Sequence, residues 1–488
     1  MGFTTVGRVA RNSIALTAAL LIKRLTSFLL FVLIARHAGV LVFGQFSLAY
    51  TFFIIFQVPA QFGLANLIVR EVAKDKLNFD KYLVNGHFIV LLSALASFGI
   101  WALLVHILRY SPEVIKASYL LGLALIPFAM CIVCEAIFKA FERMQFVAYA
   151  FAWTNLAKIG LIWLLLSRGL GINWVLVVLA IIQGGMLVLE WYFIYRYFPR
   201  PTWAIDMNFC RRLAKAALTF LGIGLFAALF LRLNIIVLSK LQGEFEVGLY
   251  NAAFQLTYFF MLLSMSLRDS VFPVLSRTYN ARMAKFKQYT ERSIEFLLSL
   301  AIPLTVCFFF LANSILLVYK EEFVAAAPLL KLLGWVLIPV CFNRILGGVL
   351  LASGHQRISL GIQVVTTACL LALSGYCIHN FGILGAGMAI LSSHIICFIL
   401  EYAVVSKRIF LVSIPRVMWK PLVSGLFLAG FLALIKEGRG LLVIIPSAVV
   451  LYGVVLFSLN VFFGSLREPV KIWLRGGKSK PGARRMET

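Results

Sequence analysis

Residues 35–50, ARHAGVLVFGQFSLAY, return about two hundred positions later as SKLQGEFEVGLYNAAF, residues 239–254. Aligned end to end, the copies pair Arg36 with Lys240, Gly39 with Gly243 and Gly44 with Gly248. The pairing continues through Phe46 and Tyr250, Ser47 and Asn251, Ala49 and Ala253, and Tyr50 and Phe254. Each copy is a cation, a G-x4-G turn and the start of an aromatic, small-residue helix. The glycines bracket a four-residue turn between antiparallel helices, where positive φ or close backbone approach is needed. A simple helix hairpin accounts for one copy. It does not account for the recurrence together with the cations.

The surroundings of both copies are apolar. The 488-residue chain is 62% hydrophobic and 13% charged, with a mean hydropathy of +0.96, whereas a soluble protein carries about 25% charged residues. A bilayer core of ~30 Å needs ~20 apolar residues per spanning helix. Apolar blocks of that length centre near residues 25, 55, 95, 129, 158, 183, 226, 260, 302, 339, 368, 397, 426 and 452. They predict an all-α polytopic membrane protein of about fourteen transmembrane helices, uninterrupted by a soluble domain. A closed β-barrel would show alternating segments of ~10 residues instead.

The net charge of +26 is informative through its position. Lys and Arg cluster at 70–81, 196–215, 277–292, 407–420 and 467–485. The other side of the membrane holds Arg36, Arg109, Lys116, Arg168, Lys240, Lys320, Lys436 and Arg439. By the positive-inside rule, both termini lie in the cytoplasm. The tail GGKSKPGARRMET suits anionic lipid headgroups rather than nucleic acid. The first apolar block is too long for a secretory leader and is interrupted by Lys23 and Arg24. The eight cysteines are scattered through helices, which argues against a disulfide framework. Cys131 and Cys134 have C-x-x-C spacing, but mid-helix in an apolar block, where packing is the expected role.

A second pair of segments keeps the register of the first. ALIPFAMCIVCEAIFKAFERMQ, residues 124–145, parallels VLIPVCFNRILGGVLLASGHQR, residues 336–357. The offset grows from 204 to 212 residues, as small loop insertions would produce. The predicted organisation is two parallel six-helix lobes, 1–205 and 206–410, then helices 13 and 14 over 411–465 and a basic tail over 466–488. Each lobe crosses an even number of times, so an axis along the membrane normal relates them.

LIARHAGVLVFGQFSLAY, QFGLANLIVREVAK, EVGLYNAAFQL and FPVLSR resemble the polysaccharide transport branch of the multidrug/oligosaccharidyl-lipid/polysaccharide exporter superfamily, which includes O-antigen flippases of the bacterial inner membrane. The resemblance runs through both lobes. It implies a V-shaped pair of lobes opening alternately to each side of the cytoplasmic membrane. It also implies an undecaprenyl-(pyro)phosphate-linked oligosaccharide, an O-antigen or related unit, as cargo, and membrane lipids and a polysaccharide polymerase as partners. No cofactor, metal or nucleic acid is expected, and no oligomer is required. Family members often carry an acid after the Arg-aliphatic pair of helix 7; here FLRLNIIVLSK places Asn234 there, which puts cation coupling at that position in doubt.

The residues support an anionic cargo independently. An ionised side chain near the bilayer centre costs at least ~2.5–3.5 kcal/mol, so such groups usually face a cavity or a partner. The helices carry Lys23, Arg24, Lys158, Arg232, Arg268, Lys331 and Arg344 against Glu135, Glu190, Asp269, Glu295 and Glu401. The candidate headgroup-binding cations are Lys23, Arg24, Arg232, Arg268 and Arg344. Arginine suits a pyrophosphate because its planar fork donates two parallel bonds, while lysine acts as a point charge. Lys23 and Arg24 are adjacent, so they point about 100° apart and do not both face one cavity squarely. Arg268 precedes Asp269, and local charge balance explains it equally well. Lys158 and Lys331 lie near helix ends and reach the interface by snorkelling. Glu135 with Lys139, and Glu291 and Glu295 flanking Arg292, read as structural pairs. Tyr50, Tyr258, Trp335 and Trp153 are candidate faces for sugar rings. Pro59, Pro127, Pro303 and Pro339 lie inside apolar blocks and each removes a backbone hydrogen bond.

Two other classes are distinguishable. A cation-coupled multidrug exporter of the same superfamily would place carboxylates deep in a lobe, whereas the cavity candidates here are basic. A membrane glycan polymerase needs catalytic groups on a sizeable external loop, and the external loops here are short and poor in carboxylates. His37, His106 and His379 near that side read as interfacial. The expectation is a transporter and not an enzyme.

Overall fold

The computed structural model describes the backbone over residues 2–434 and 441–463, with most side chains from Thr26 onward. Among the described residues the chain is helical and has no strand. The elements are α1 (Gly2–Gln61), α2 (Leu64–Lys74), α3 (Phe79–Ile107), α4 (Pro112–Gly122), α5 (Leu125–Ala140), α6 (Met144–Ser167) and α7 (Ile172–Tyr197). There follow α8 (Met207–Gln242), α9 (Glu244–Ala281), α10 (Met283–Leu316), α11 (Ala327–Ala352), α12 (Gln356–Arg408), α13 (Ile414–Leu434) and α14 (Leu441–Phe463).

Among the described residues, twelve helical stretches are long and apolar enough to cross a membrane, rather than the fourteen expected. The difference lies in two stretches, Thr26–Lys74 and Gln356–Arg408, of 49 and 53 residues, each more than twice the ~20 residues one crossing needs. Both are broken at a glycine of positive φ: Gly39 (φ 76°, ψ 173°) in α1 and Gly382 (φ 56°, ψ −134°) in α12. In α1 the chain folds back there, because the ring of Phe31 lies 5.2 Å from Tyr50 and 5.5 Å from Phe46. On a straight helix, residues 31 and 50 would be ~28 Å apart. At the second break the Cys377 carbonyl oxygen lies 1.9 Å from where a Cβ on Gly385 would sit.

Of the four prolines, Pro127 coincides with an interruption. Helix α4 ends at Gly122 and α5 begins at Leu125, just ahead of the missing amide. Pro59, Pro303 and Pro339 are carried inside continuous helices.

The chain forms two compact units. The first comprises Met1–Phe259, Leu316–Leu329 and Thr367–Ile390. Its core is aromatic: Phe43, Phe46, Phe52 and Trp101 are fully buried, and Trp101 stacks on Phe56 with centroids 6.0 Å apart. Helix α2 is amphipathic, burying Leu64, Leu67, Ile68 and Val72 on one face while Arg70 and Lys74 hold Glu71 on the other. Asp206 caps α8 by accepting from the Phe209 amide at 3.0 Å, and Lys81 bridges it at 3.1 Å. The cap and then the bridge hold its carboxyl below the usual range.

The second unit comprises Phe260–Ile315, Leu330–Thr366 and Leu391–Thr488. Its core gathers Leu428, Leu432, Ile444, Ala448 and Tyr452 from α13 and α14 against Val306, Cys307 and Leu311 of α10. Thr305 on α10 donates to the Gly334 carbonyl of α11 at 2.8 Å. Large apolar side chains such as Leu426, Val449 and Phe457 remain exposed, as expected of a surface solvated by lipid. The described cysteines are all free; Cys131 receives Gln183 Nε2 at 3.7 Å and Cys134 lies 3.6 Å from His87 Nε2. The C-x-x-C pair is thus part of buried packing.

Candidate functional site

The two copies of the repeated stretch meet each other inside the first unit. A Cβ on Gly44 would lie 1.9 Å from the Glu244 carbonyl oxygen and 3.0 Å from the Gly248 nitrogen. A Cβ on Gly248 would lie 2.2 Å from the Val40 carbonyl oxygen. The second glycine of each turn is therefore required by the backbone of the other turn. The first glycine serves its own turn: Gly39 and Gly243 adopt φ of 76° and 89°. Gln45 Nε2 donates to Glu244 Oε2 at 2.9 Å across the same seam. The cations of the repeat stand apart from it. Arg36 is exposed, and Lys240 sits 3.3 Å above the Tyr110 ring and donates to the Leu108 carbonyl.

The aromatic helix starts that follow the turns form two matching ladders. Phe46 stacks on Tyr50 (5.9 Å, 17°), and Tyr250 stacks on Phe254 (5.6 Å, 14°), which stacks on Tyr258. Arg232 lies among them, 3% exposed, with its guanidinium 5.5 Å from the Tyr258 centroid. Tyr50 and Tyr250 both feel its charge. Of the four aromatic residues the sequence offers for sugar stacking, Tyr50 and Tyr258 converge on this arginine. Trp153 and Trp335 are exposed at 70% and 49%.

Asn234, two residues on from Arg232, has a donor's role. Its Nδ2 donates to the Ala386 carbonyl at 3.1 Å and to Tyr250 Oη at 3.3 Å. An ionised carboxylate there would oppose a carbonyl oxygen instead of satisfying it. Asn234→Asp is expected to lower stability by about 1–3 kcal/mol, read as a lower melting temperature in detergent, while Asn234→Gln, which keeps the donor, falls less.

In the second unit two predicted cations, Arg268 and Arg344, lie along the same stretch of α11 as one buried acid, Glu401. Arg268 is bound by its neighbour, Nε and Nη2 lying 3.0 and 2.8 Å from Asp269 Oδ1, so local charge balance accounts for it. Its aliphatic stem packs against Gly348 of α11. Arg344, one turn earlier on α11, acts on Glu401 and His394 of α12. Glu401 is 1% exposed, and its Oε1 lies 3.1 Å from where a Cβ on Gly347 would sit. Asn343 Nδ2 fixes His394 through its carbonyl at 3.0 Å and its Nδ1 at 3.3 Å. The side chains of Lys23 and Arg24 lie outside the described residues. Lys331 sits 5.7 Å from the Phe309 ring.

A groove of about 1170 Å³ opens in the same unit along α10, α13 and α14. None of Arg232, Arg268 and Arg344 lines it. Its polar end holds Lys420, which bridges Glu295 at 3.2 Å and donates to Asn460 at 2.9 Å. Glu291 accepts from the Ser413 amide at 3.1 Å and lies 3.8 Å from Lys287. Glu291 and Glu295 are thus held by Lys287, Ser413 and Lys420, not by Arg292 between them. Sequence spacing missed this because Lys420 comes from a distant helix. The Glu135–Lys139 pair stands as expected, at 3.1 Å. Among the described residues no group of three His, Cys, Asp or Glu side chains is placed to hold a metal.

These features define an internally repeated membrane protein, helical throughout its described residues, with one arginine, Arg232, buried among its apolar helices. The chain belongs to the polysaccharide biosynthesis protein family, whose pattern matches residues 9–279, within the polysaccharide branch of the multidrug/oligosaccharidyl-lipid/polysaccharide exporter superfamily. The MatE family matches residues 221–376. Among curated relatives, the probable low-salt glycan biosynthesis flippase Agl15 of Haloferax volcanii is 22% identical over 392 residues, covering 78% of this chain and 80% of its own. The capsular polysaccharide biosynthesis protein CapF of Staphylococcus aureus is 22% identical over 282 residues, covering 56% and 70%. Among solved structures, the lipid II flippase MurJ in an inward closed conformation matches with a TM-score of 0.74 at 16% identity, covering 94% of this chain and all of that one. An inward-facing multidrug resistance MATE transporter matches at 0.66 and 14%, covering 79% and 94%. At these identities the structures support the fold.

Proposed function

We propose that the protein is a flippase that carries a polyprenyl-(pyro)phosphate-linked oligosaccharide across the bacterial cytoplasmic membrane by alternating access, with both termini in the cytoplasm and no covalent chemistry on the cargo. The observation that carries this reading is Arg232, a guanidinium buried among tyrosine rings at the heart of apolar helices. Such a charge is expensive in hydrocarbon and is retained where an anionic group is to be met. The lipid tail of the cargo is at home in the bilayer. Its phosphates and hydroxyls are not, because each desolvated polar group costs several kcal/mol. Arg232 in the first unit, with Tyr50 and Tyr258 as faces for a sugar, and Arg344 in the second are each a bidentate donor suited to a phosphate. The names of the relatives, a glycan biosynthesis flippase, a capsular polysaccharide protein and a lipid II flippase, support the same class. A polymerase that uses the delivered unit is the natural partner, and the O-antigen type of unit is the cargo we favour.

The test is the sidedness of a lipid-linked oligosaccharide in reconstituted vesicles. Wild type should expose the headgroup on the far side. Arg232→Ala and Arg344→Ala, at equal incorporation, should slow this by about 10–100-fold, the value of one or two charge-assisted hydrogen bonds. Equal rates for all three proteins would remove the arginines from the site. The MatE match favours one other reading, a multidrug exporter. Export of a cationic dye with no movement of the headgroup would establish it.

A further inference from the structure

The Glu190 and Glu401 carboxylates, 0% and 1% exposed, occupy matching places in the repeat. Leu189-Glu190-Trp191 on α7 answers Leu400-Glu401-Tyr402 on α12 at an offset of 211 residues, against 212 for the Leu-Ile-Pro segments of α5 and α11. The neighbours match as well. Gln183, which donates to Cys131 in the first unit, answers His394, which is held by Asn343 in the second. At these offsets Cys131 corresponds to Asn343. One partner breaks the symmetry: the position of α5 that corresponds to Arg344 is Ile132. The two units thus share a buried carboxylate, and α11 adds an arginine beside the second one.

We propose that Glu401 is a proton-binding group that controls whether Arg344 is available to the phosphate of the cargo, so that the anionic headgroup and a proton are taken up together. The inference rests on the flippase reading above. With Glu401 ionised, the guanidinium and carboxylate neutralise each other inside the protein. When a phosphate takes the guanidinium, the carboxylate is left in an apolar surrounding. A buried charge that loses its partner is strongly disfavoured, and taking a proton removes that cost. Glu401 is poorly furnished to stand alone: its Oε2 is buried and accepts no hydrogen bond among the described residues. Its charged and titratable surroundings are Arg344 from α11 and His394 and Cys397 from its own helix, with Arg268 of α9 packed one residue along at Gly348 and balanced by Asp269. Arg344 is the group of that set that acts on both Glu401 and His394. By linkage, a proton that promotes phosphate binding is itself promoted by it. The sign is fixed: binding takes up a proton, so affinity falls as pH rises.

The experiment uses the full chain in detergent and farnesyl diphosphate as a short-tailed probe. Affinity is measured across pH, and calorimetry in buffers of different ionisation enthalpy counts the protons exchanged. Wild type should lose up to about tenfold more affinity per pH unit than Glu401→Gln, the limit for one linked proton; the probe's own titration is common to both. Glu401→Gln should bind tightly without that excess slope, and Arg344→Ala should bind weakly at every pH. Glu190→Gln, which changes the matching carboxylate of the first unit beside Cys131, should keep the wild-type slope. A wild-type slope in Glu401→Gln would overturn the proposal. So would a proton count in wild type no larger than the probe's own, a measurement that needs no variant to fold. Failure of wild type to bind the probe at any pH would instead overturn the flippase reading.

Discussion

Gly248→Ala should lower the thermal unfolding midpoint of the protein in detergent, by a loss of about 2–3 kcal/mol. The added methyl would fall 2.2 Å from the Val40 carbonyl oxygen. That obstacle is backbone, which has no rotamer to give, so relief requires the two turns to separate. Gly44→Ala should behave alike, since its methyl would fall 1.9 Å from the Glu244 carbonyl oxygen. The double variant should lose less than the sum, because one separation relieves both clashes and neighbouring sites are not additive. Gly361→Ala on α12 is the control. Nothing lies within 4 Å of its added carbon, and alanine's better helix propensity favours the variant by up to about 1 kcal/mol. Equal midpoints for Gly248→Ala and wild type would show that the turns do not touch.

Lys420→Met should cost about 2 kcal/mol, measured by the same melting assay. Lys420 is buried, and the substitution removes the cation 3.2 Å from Glu295 and the donor 2.9 Å from Asn460. Breaking a fully buried pair costs about 3–5 kcal/mol. The Glu295 side chain here keeps 25% of its exposure, so solvent screening brings the figure to the lower value. Lys420→Met with Glu295→Leu should recover most of the loss, because replacing both partners leaves no stranded charge. A double variant as unstable as the single would show that lysine packing, rather than charge, ties α13 to α10 and α14.

Much of this was legible in the chain itself. Apolar blocks of bilayer length fix a polytopic helical protein, because backbone polar groups in hydrocarbon must be satisfied within each segment. The repeated G-x4-G stretch placed hairpins at Gly39 and Gly243, whose φ values of 76° and 89° need glycine. Arg232 was visible as a deep cation, and Asn234 as a departure from an acid. Other features depended on segments far apart in sequence. Glu295 was read with Arg292, its neighbour, while its partner Lys420 lies more than a hundred residues on. Glu401 stood among five acids with nothing local to mark it, until the fold set it against Arg344.

Hydropathy and turn chemistry act within a few residues of themselves, so the membrane as solvent, the helices and the repeated stretch can all be read from the chain. What each copy of the repeat touches depends on tertiary packing. It set Gly44 against Glu244 and Gly248 against Val40, gathered Tyr50, Tyr250 and Tyr258 around Arg232, and put an arginine beside one of two matching carboxylates. Close approach and charge pairing act through space over a few ångströms, and residues two hundred positions apart reach that distance only when the helices have packed.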